Sequence, residues 1–380
     1  MHARVHREAW ARRRFGAEAD RLFAALERVD PVADELVAWL DHRPFDLMAA
    51  WAEHGSDVEL PGPVRALVES IAEPPAWIDW VRVDRARRLF ERAGIFGGMV
   101  LSLRSLMGGY IAPAGNKPLA FSGRLREQAP RRVAETARFV TAVAAPGGLR
   151  AGAPGWQISV HVRLMHAQVR RLLGQSGRWD RAQWAEPINQ HDMLATVLLF
   201  SEVYVEGLRL LGFAVSDQEA EDWVHLWCVV GWLMGTEVEL LPRDYAQAQR
   251  QRELIQATQG EPDADSRALA AALLGSPPGH AGEWARRVDH LRLGFARGLT
   301  RRLMGDDAAD RLAIARAPNW ERGLAAVPVI VGALERVRLV VPGVEGELRG
   351  LGRRYWDWAV EASLRGQPAE FARPSRLARV

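Results

Sequence analysis

Apolar residues recur every three or four positions along most of the chain, and this spacing constrains the fold most. Between residues 84 and 106, Leu89, Phe90, Ala93, Phe96 and Val100 follow one another at a spacing of mostly three or four residues. Such spacing places apolar side chains on one face of an α-helix, whereas a half-buried strand alternates apolar and polar residues. No alternating segment recurs, and neither a repeat period nor a split into separate cores is visible. All 380 residues are therefore predicted to form a single all-α domain.

Turn residues divide this pattern into predicted elements. Helices are predicted at 130–143, 157–173, 190–211 and 344–364, among others, and a loop is predicted at 113–123. Residues 258–283 are rich in Gly, Pro, Ala and Asp, and we expect an exposed, loop-rich segment there with one helix at 266–274. Residues 368–380 are expected to form a loose tail.

The segment at 157–173 carries the clearest candidate site. When it is mapped at about 100° per residue, one apolar stripe emerges, formed by Ile158, Val162, Met165, Val169 and Leu172. His166 lies at the border of this stripe, with Arg163 and Arg170 just beyond. An imidazole half in the core and flanked by cations suits an axial ligand of haem iron, with arginines near propionates or bound oxygen. The alternative is a histidine at the core edge that bonds a neighbour.

This segment resembles the signature helix of the latex-clearing-protein (rubber oxygenase) family, which includes fungal MpaB-type oxygenases. His166-Ala167, Val169-Arg170 and Leu172-Leu173 fit the family pattern. Other motifs resemble the family in order and spacing over residues 75–245, namely Leu106-Met107-Gly108-Gly109-Tyr110, Lys117-Pro118-Leu119, Ile188-Asn189-Gln190, Phe200-Ser201, Gly235-Thr236-Glu237 and Leu241-Pro242. The resemblance implies a b-type haem, with His166 as the proximal ligand and metal-binding residue and Arg170 beside it.

Two further arginines, Arg163 and Arg171, are expected to meet the haem propionates or else to face solvent. The resemblance also implies globin-like helix packing around a buried haem. No CxxCH attachment motif is present, so any haem would be held without a covalent bond.

A polar trio lies in the preceding predicted helix. The spacing i, i+3, i+4 puts Arg132, Glu135 and Thr136 on one face, which Phe139 and Val143 continue towards the core. Such a trio could line a distal pocket, where Arg132 stabilises negative charge, Thr136 bonds oxygen or water, and Glu135 transfers protons. The alternative is a first helical turn with an intrahelical Arg–Glu pair.

The trio departs from the family at one position. The resembling proteins carry Arg, Lys and Thr at this spacing, and their lysine can ligate the iron in a closed state. Glu135 occupies that lysine position, and the single lysine of this chain, Lys117, belongs to a different motif. An amine-capped iron is therefore not expected. Glu135 is predicted instead to act as a base that abstracts an allylic proton, or to mark a different substrate.

Composition excludes several classes of function. Net charge is only +3, and the basic residues are scattered among acids, which argues against a nucleic-acid partner. Cys228 is the only cysteine, so neither an intramolecular disulfide nor a Cys-rich metal site is possible. No run of 18 apolar residues predicts a membrane span. We expect a cytoplasmic protein, or a secreted one if a leader was removed, that is a monomer or a small homo-oligomer.

These observations favour a haem b-dependent dioxygenase that uses dioxygen to cleave a C=C bond of an apolar substrate, by resemblance polyisoprene or a smaller isoprenoid. Two other haem functions stay open. One is a sensor or carrier without oxygenase activity, and the other is an oxygenase or peroxygenase acting on a different small hydrophobic or aromatic molecule. An all-α scaffold without a cofactor, in which the 15 tryptophans fill space, is the remaining alternative.

Overall fold

The computed structural model describes residues 3–41, 43–54, 56–122, 129–275 and 283–364, together with Pro374 and Leu377. These described residues form one helical domain and contain no strand, which confirms the predicted all-α class. The predicted loose tail at 368–380 lies outside them apart from those two isolated positions.

The α-helices are, in chain order, α1 Glu8–Phe15, α2 Ala17–Ala24, α3 Pro31–Leu40, α4 Leu47–Glu53, α5 Gly62–Ala72, α6 Trp80–Val100, α7 Pro113–Ser122, α8 Ala129–Val143, α9 Pro154–Gln175, α10 Arg181–Trp184, α11 Gln190–Phe200, α12 Glu202–Leu210, α13 Asp217–Leu233, α14 Tyr245–Thr258, α15 Ala264–Leu274, α16 Glu283–Met304, α17 Asp306–Arg311, α18 Pro318–Leu324, α19 Val327–Val340 and α20 Val344–Leu364. A π-helical segment, Leu101–Leu106, and a helical turn, Met107–Gly109, continue α6. Two 3-10 turns lie at Ala25–Glu27 and Val238–Leu240.

Helix starts follow from capping residues in the sequence. Asp30 accepts a hydrogen bond from Ala33 N–H at the start of α3, and Asn189 accepts one from Asp192 N–H at the start of α11. Ser216 begins α13 with a complete capping box. Each cap satisfies a backbone donor that has no partner inside the helix, so it fixes where the helix begins.

Helix α6 forms the centre of the larger apolar core, where it packs against α12, α13 and α20. Two glycines bring α6 and α20 into backbone contact, because a Cβ at Gly352 would lie 1.6 Å from the carbonyl oxygen of Glu91. Opposite it, Gly94 has a φ of 46° and interrupts the regular helix. The single predicted helix at 84–106 is thus broken at Gly94 and changes to π-helix after Val100.

Two other predicted elements were wrong. Residues 113–122 form helix α7 rather than a loop, although Pro118 lies inside it. Contacts with α15 and the ion pairs of Lys117 with Asp263 and Asp265, at 2.6 and 2.7 Å, offset the weak local preference for helix. The predicted helix at 190–211 is divided at Ser201, which has a φ of −102° and a ψ of −86°.

The segment predicted as exposed and loop-rich is partly buried. Helix α15 buries Leu269 and Ala270 in a second apolar cluster with residues of α16 and α17. Residues 276–282 of this segment lie outside the described residues. The predicted last helix, at 344–364, is confirmed as α20.

Among the described residues, no single helix has the length and hydropathy to cross a bilayer. The stretches Trp80–Gly109 and Pro113–Phe121 have the required length and hydropathy only when they are taken together, and a bend of 102° separates them.

Candidate active site

Helices α8 and α9 pack along each other as a hairpin, and the contact at its closed end sets their relative register. A Cβ at Gly155 would lie 2.7 Å from the carbonyl oxygen of Ala142, so only glycine allows this approach. The N–H of Trp156 donates to the carbonyl oxygen of Gly148 at 2.9 Å, which holds the start of α9 against the connecting loop.

This register sets the levels of the predicted site residues along the hairpin. His166 follows Gly155 by 11 residues (166 − 155), and Arg131 precedes Ala142 by the same number (142 − 131). At 1.5 Å per residue, both lie about 16 Å from the close contact. The first turn of α8, which carries Arg131 and Arg132, therefore reaches the level of His166, whereas Glu135 and Thr136 lie about one helical turn nearer the closed end, about 9–10 Å from the close contact. The side chain of Arg132 lies outside the described residues.

His166 lies where a fully buried face of α9 meets a partly covered one. The buried face includes Trp156, Val160, Leu164 and Ala167. The predicted apolar stripe differs from it: Val162 is buried, whereas Ile158, Met165, Val169 and Leu172 are only half-buried. Partly covered apolar side chains beside a half-buried imidazole would fit a flat apolar group whose metal the imidazole could bind, such as a b-type haem.

The three arginines predicted to contact haem have other partners in the structure. Nε and Nη2 of Arg163 donate to the two carboxylate oxygens of Asp30 at 2.6 and 2.9 Å, and both side chains are buried. Arg170 pairs with Asp34 at 2.7 Å, and Arg171 pairs with Asp41 at 2.8 Å. All three carboxylates belong to α3 or its two flanking residues. These contacts give the arginines a structural role in holding α3 on α9, and a contact with haem stays a prediction.

The acidic member of the trio is tied to its own helix. Glu135 is half-buried, and its Oε1 accepts a hydrogen bond from Nε of Arg131 at 3.1 Å, one helical turn earlier. The intrahelical Arg–Glu pair considered as the alternative is therefore present, with Arg131 as the partner. A carboxylate held in this way keeps its second oxygen available for a proton, so the pair does not conflict with a role as base.

An apolar pocket begins one helical turn beyond Thr136, at Phe139. It lies between α8, α11 and α13, and its cavity volume is about 30 Å³. Its lining residues are Phe139, Met193, Thr196, Val197, Phe200, Trp227, Val230, Met234 and Thr236. Phe200 stacks on Trp227 with 4.6 Å between ring centroids, which makes one wall flat and rigid. His166 does not line the pocket. Glu135 and Thr136 do not line it either, and they lie on the helical turn of α8 that precedes Phe139.

The other histidines of the helical core contact neighbouring residues. Nε2 of His225 accepts a hydrogen bond from Asp79 N–H at 2.9 Å. Burial, with a smaller effect of Arg82, lowers the pKa of His225 to about 4, so the ring is neutral at pH 7. His191 is buried beside Asp192, and His161 contacts the carbonyl oxygen of Gln157 at 2.7 Å. Among the described residues, no three His, Cys, Asp or Glu side chains gather as a metal site.

Comparison with known proteins decides the family. A model described as "ER-bound oxygenase mpaB/B'/Rubber oxygenase, catalytic domain" matches residues 87–334, which is well over half of the chain. The chain belongs to this family. It is therefore an oxygenase, and thus an oxidoreductase, as the resemblance in the sequence implied.

Two relatives extend this result. The rubber oxygenase of Streptomyces sp. (strain K30) is 26% identical over 367 residues, which cover 92% of this chain and 83% of that protein. The solved structure of latex clearing protein LCP in the closed state matches with a TM-score of 0.67 at 23% identity, covering 87% of this chain and 91% of that one. This structural likeness confirms the helical fold.

The family motifs downstream of His166 meet in a cluster that sequence reasoning did not foresee. Nε2 of Gln190 donates to the carbonyl oxygens of Val29 and Gly235, at 3.1 and 2.9 Å, and its Oε1 accepts from Glu237 N–H at 2.9 Å. Glu237 also pairs with Arg28 at 2.7 Å.

Gly235, with a φ of 85°, lies against the Asp30–Arg163 pair, where a Cβ would be 2.2 Å from Oδ2 of Asp30. We call Arg28, Asp30, Arg163, Gln190, Gly235 and Glu237 the polar hub. The sequence held one signal for the polar hub. Some of its residues belong to motifs that resemble the family, namely Asn189-Gln190 and Gly235-Thr236-Glu237.

Proposed function

We propose that this oxygenase binds haem b and uses dioxygen to cleave a C=C bond of an apolar, isoprenoid-like substrate, polyisoprene or smaller, into two carbonyl products. One observation carries the proposal. The α8–α9 hairpin sets the first turn of α8 at the level of His166, Glu135 follows about one helical turn nearer the closed end, and an apolar pocket begins one turn further on at Phe139. Membership of an oxygenase family and the name of the Streptomyces relative support the choice of an apolar olefin.

His166 would hold the iron through its imidazole, and the half-buried side chains of Ile158, Met165 and Val169 would contact the ring. Haem b bound there would supply the activation of dioxygen. The three arginines of α9 would keep this helix fixed through α3, because their guanidinium groups contact carboxylates there. The ligand therefore sits on a rigid element, which favours a constant geometry at the iron.

The remaining site residues handle the substrate and its protons. Phe139, Phe200 and Trp227 would bind the hydrocarbon and exclude water from the double bond. A carboxylate oxygen of Glu135 would take a proton from the allylic carbon and return it during cleavage, because the two carbonyl products keep every hydrogen of the olefin, while Arg131 holds the side chain in place. Arg132 and Thr136 are proposed to stabilise charge and to bond oxygen on the same side. Both atoms of dioxygen enter the products, so one olefin and one dioxygen give two carbonyl groups.

The metal-ligand assignment is tested by spectroscopy of purified protein, ferric and then dithionite-reduced, with a pyridine haemochrome assay. Wild-type protein should show a Soret band and near-stoichiometric haem b, and His166→Ala should lose most of it. His161→Ala is the matched control, because His161 is half-buried on the same helix and its Nδ1 contacts the carbonyl oxygen of Gln157. Full haem content in His166→Ala would reject the assignment, and a colourless wild type that refuses added haemin would reject haem altogether.

The role of Glu135 is tested separately. Glu135→Gln should retain haem and lose turnover of an olefin such as squalene or low-mass polyisoprene, because an amide cannot accept the allylic proton. Glu135→Lys should shift the Soret band towards an amine-ligated spectrum if the side chain reaches the iron. An unchanged rate in Glu135→Gln removes the proposed base, whereas the haem assignment would stand.

A further inference from the structure

Aromatic rings in contact with one another lead from the apolar pocket into the core. Trp227 lines the pocket, and its ring centroid lies 6.2 Å from that of Trp223, one turn earlier on α13. Phe90 of α6 stacks on Trp223 at 5.8 Å and on Trp356 at 4.5 Å, with interplanar angles of 9° and 16°. The indoles of α13 and α20 are therefore joined through one shared ring.

The rings continue to solvent along α20. Tyr355 contacts Trp356 at 5.2 Å and Trp358 at 6.2 Å between ring centroids. Trp356 is 5% exposed, whereas Trp358 is 65% exposed. Gly352 allows this route, because its close approach to α6 brings α20 within reach of Phe90. We call the following residues the aromatic series: Trp227, Trp223, Phe90, Trp356, Tyr355 and Trp358.

The indole N–H groups of the aromatic series differ in where a proton can go. Nε1 of Trp227 and Nε1 of Trp356 are buried and have no hydrogen-bond partner among the described residues. Nε1 of Trp223 donates to the carbonyl oxygen of Phe200 at 2.9 Å, and an amide oxygen is not a base. An indole that has lost one electron is a cation, which is unfavourable in an apolar core without an acceptor for its proton. The exposed indole of Trp358 can release that proton to water, so positive charge entering the series moves outward.

The phenol of Tyr204 is a side branch rather than a part of this route. Its ring centroid lies 5.0 Å from that of Trp223. A phenol gives up an electron readily when its proton leaves at the same time, and the Tyr204 hydroxyl is buried without a partner among the described residues. Burial also raises the pKa of Tyr204. The route outward therefore crosses Phe90, whose ring fills the gap between the two indoles.

We propose that the aromatic series carries oxidising equivalents from the active site to the surface when dioxygen is activated and no olefin is present to consume it. The oxidant, of the activated-oxygen class, takes one electron from Trp227, and each indole regains an electron from the next indole outward. Electron tunnelling weakens steeply with distance, so hops between rings in such close sequence are fast. The series thereby protects the residues of the pocket from oxidation.

Protons and electrons balance at the surface. Trp358 loses its indole proton to water and is left as a neutral radical, and a thiol or ascorbate in solution returns a hydrogen atom to it. One electron passes from this reductant to the oxidant, and the proton released at Trp358 balances the proton that the reduced oxidant takes up. The proposal rests on the proposed function for the source of the oxidant, whereas the route itself is a property of the protein.

The route is tested first without haem. Thr196 is exposed at the mouth of the pocket, so Thr196→Cys can carry a thiol-reactive ruthenium photosensitiser there. The natural thiol of Cys228 is buried, and burial raises its pKa to about 12, so it stays unlabelled at neutral pH. Flash–quench photo-oxidation of the labelled full chain should give a tryptophanyl radical in freeze-quench EPR and oxidised Trp358 in peptide mass spectrometry.

Substitutions in the labelled protein locate the route. Trp356→Phe keeps an aromatic ring but removes the oxidisable indole, so oxidation of Trp358 should be lost. Trp156→Phe is the matched control, because Trp156 is as buried and contacts Trp51 instead of the aromatic series; it should oxidise Trp358 like the labelled parent. Trp358→Phe changes an exposed side chain, so folding is not at issue, and the EPR signal should become that of a tyrosyl radical at Tyr355.

The proposal is overturned if the labelled parent yields no oxidised Trp358, or if Trp356→Phe yields as much as the control. An unchanged tryptophanyl signal in Trp358→Phe would overturn it as well. In haem-loaded protein given hydrogen peroxide without olefin, Trp356→Phe should lose its Soret band severalfold faster than Trp156→Phe, and ascorbate should slow the loss in the control alone. Equal loss in the two variants would also contradict the proposal. The flash–quench experiment needs no haem, so failure of the route is distinguishable from failure of the proposed function.

Discussion

Asp30→Asn should lower the free energy of unfolding by about 3 kcal/mol, because it removes the charge that balances a buried guanidinium. Asp30 and Arg163 share two hydrogen bonds, at 2.6 and 2.9 Å, and neither side chain is more than 8% exposed. Removing one partner of a buried pair costs about 3–5 kcal/mol. Asparagine caps a helix as well as aspartate and keeps one acceptor for Arg163, so the lower end of that range applies.

The chain contains its own control for this prediction. Arg171 and Asp41 form the same kind of pair at 2.8 Å, but 67% of the Asp41 side chain is exposed. Exposed pairs contribute about 0–1 kcal/mol because water and salt screen them. Asp41→Asn should therefore cost at most about 1 kcal/mol, which leaves a difference of about 2 kcal/mol between the two variants.

Urea unfolding followed by tryptophan fluorescence measures this difference as a shift in midpoint at an unchanged slope. If haem binds as proposed, its content per folded molecule should stay the same in Asp30→Asn, because the pair holds α3 on α9. Equal midpoints for Asp30→Asn and Asp41→Asn would refute the structural role. A normal midpoint together with lost haem would instead place Arg163 at the cofactor, as the sequence predicted.

Three further predictions concern pH and packing. The pKa of His225 is lowered to about 4 from 6.5. Its contribution to stability is therefore present above pH 6.5 and is lost as the pH falls towards 4, a loss of about 3 kcal/mol. His225→Gln should flatten that part of the curve of stability against pH. Burial raises the pKa of Glu202 to about 7 from 4.5, although Arg252 opposes the shift. The contribution of Glu202 to stability is therefore present below pH 4.5 and is lost, by a similar amount, as the pH rises through 7. Glu202→Gln should remove this loss. Gly352→Ala should destabilise by about 3 kcal/mol or more in urea titration, because the added Cβ would overlap the Glu91 carbonyl oxygen.

Each of these has a measurement that would contradict it. When the free energy of unfolding is measured by chemical denaturation across pH, it should rise with pH where His225 titrates and fall with pH where Glu202 titrates. If His225→Gln or Glu202→Gln keeps the wild-type slope in its pH range, that residue does not cause the slope. Gly350→Ala is the control for Gly352→Ala, since its Cβ would meet only the end of Arg353 at 3.9 Å. It should be neutral or slightly stabilising, as alanine favours helix over glycine. Equal effects of the two changes would mean that α20 does not contact α6 closely.

Local sequence patterns predicted most of the helices because a helix depends on residues close in the chain. Apolar spacing and capping residues determine where a helix runs, and α9 and α20 appear where that spacing placed them. The partners of the α9 arginines were not predictable in this way. Asp30 and Arg163 are 133 residues apart, and a sequence pattern carries no distance between them.

For helices α7 and α11, the local sequence pattern itself predicted the wrong structure. Pro118 is a strong local signal against helix, yet ion pairs of Lys117 and packing on α15 keep the helix intact around it. In the apolar run after Gln190, the hydroxyl of Ser201 donates to the carbonyl oxygen of Val197 at 2.7 Å, where the helix ends. Serine competes with the backbone in this way, and apolar periodicity does not register it.

The polar hub and the apolar pocket are built from different residues. Gln190, Gly235 and Glu237 are motif residues, and their contacts hold α3, α11 and the end of α13 together without lining the pocket. Substitutions at Phe139 or Met193 would reshape the pocket and leave these contacts untouched. The residues that hold the helices together and the residues that would select the substrate are therefore separate sets, so the pocket could be altered without loss of the fold.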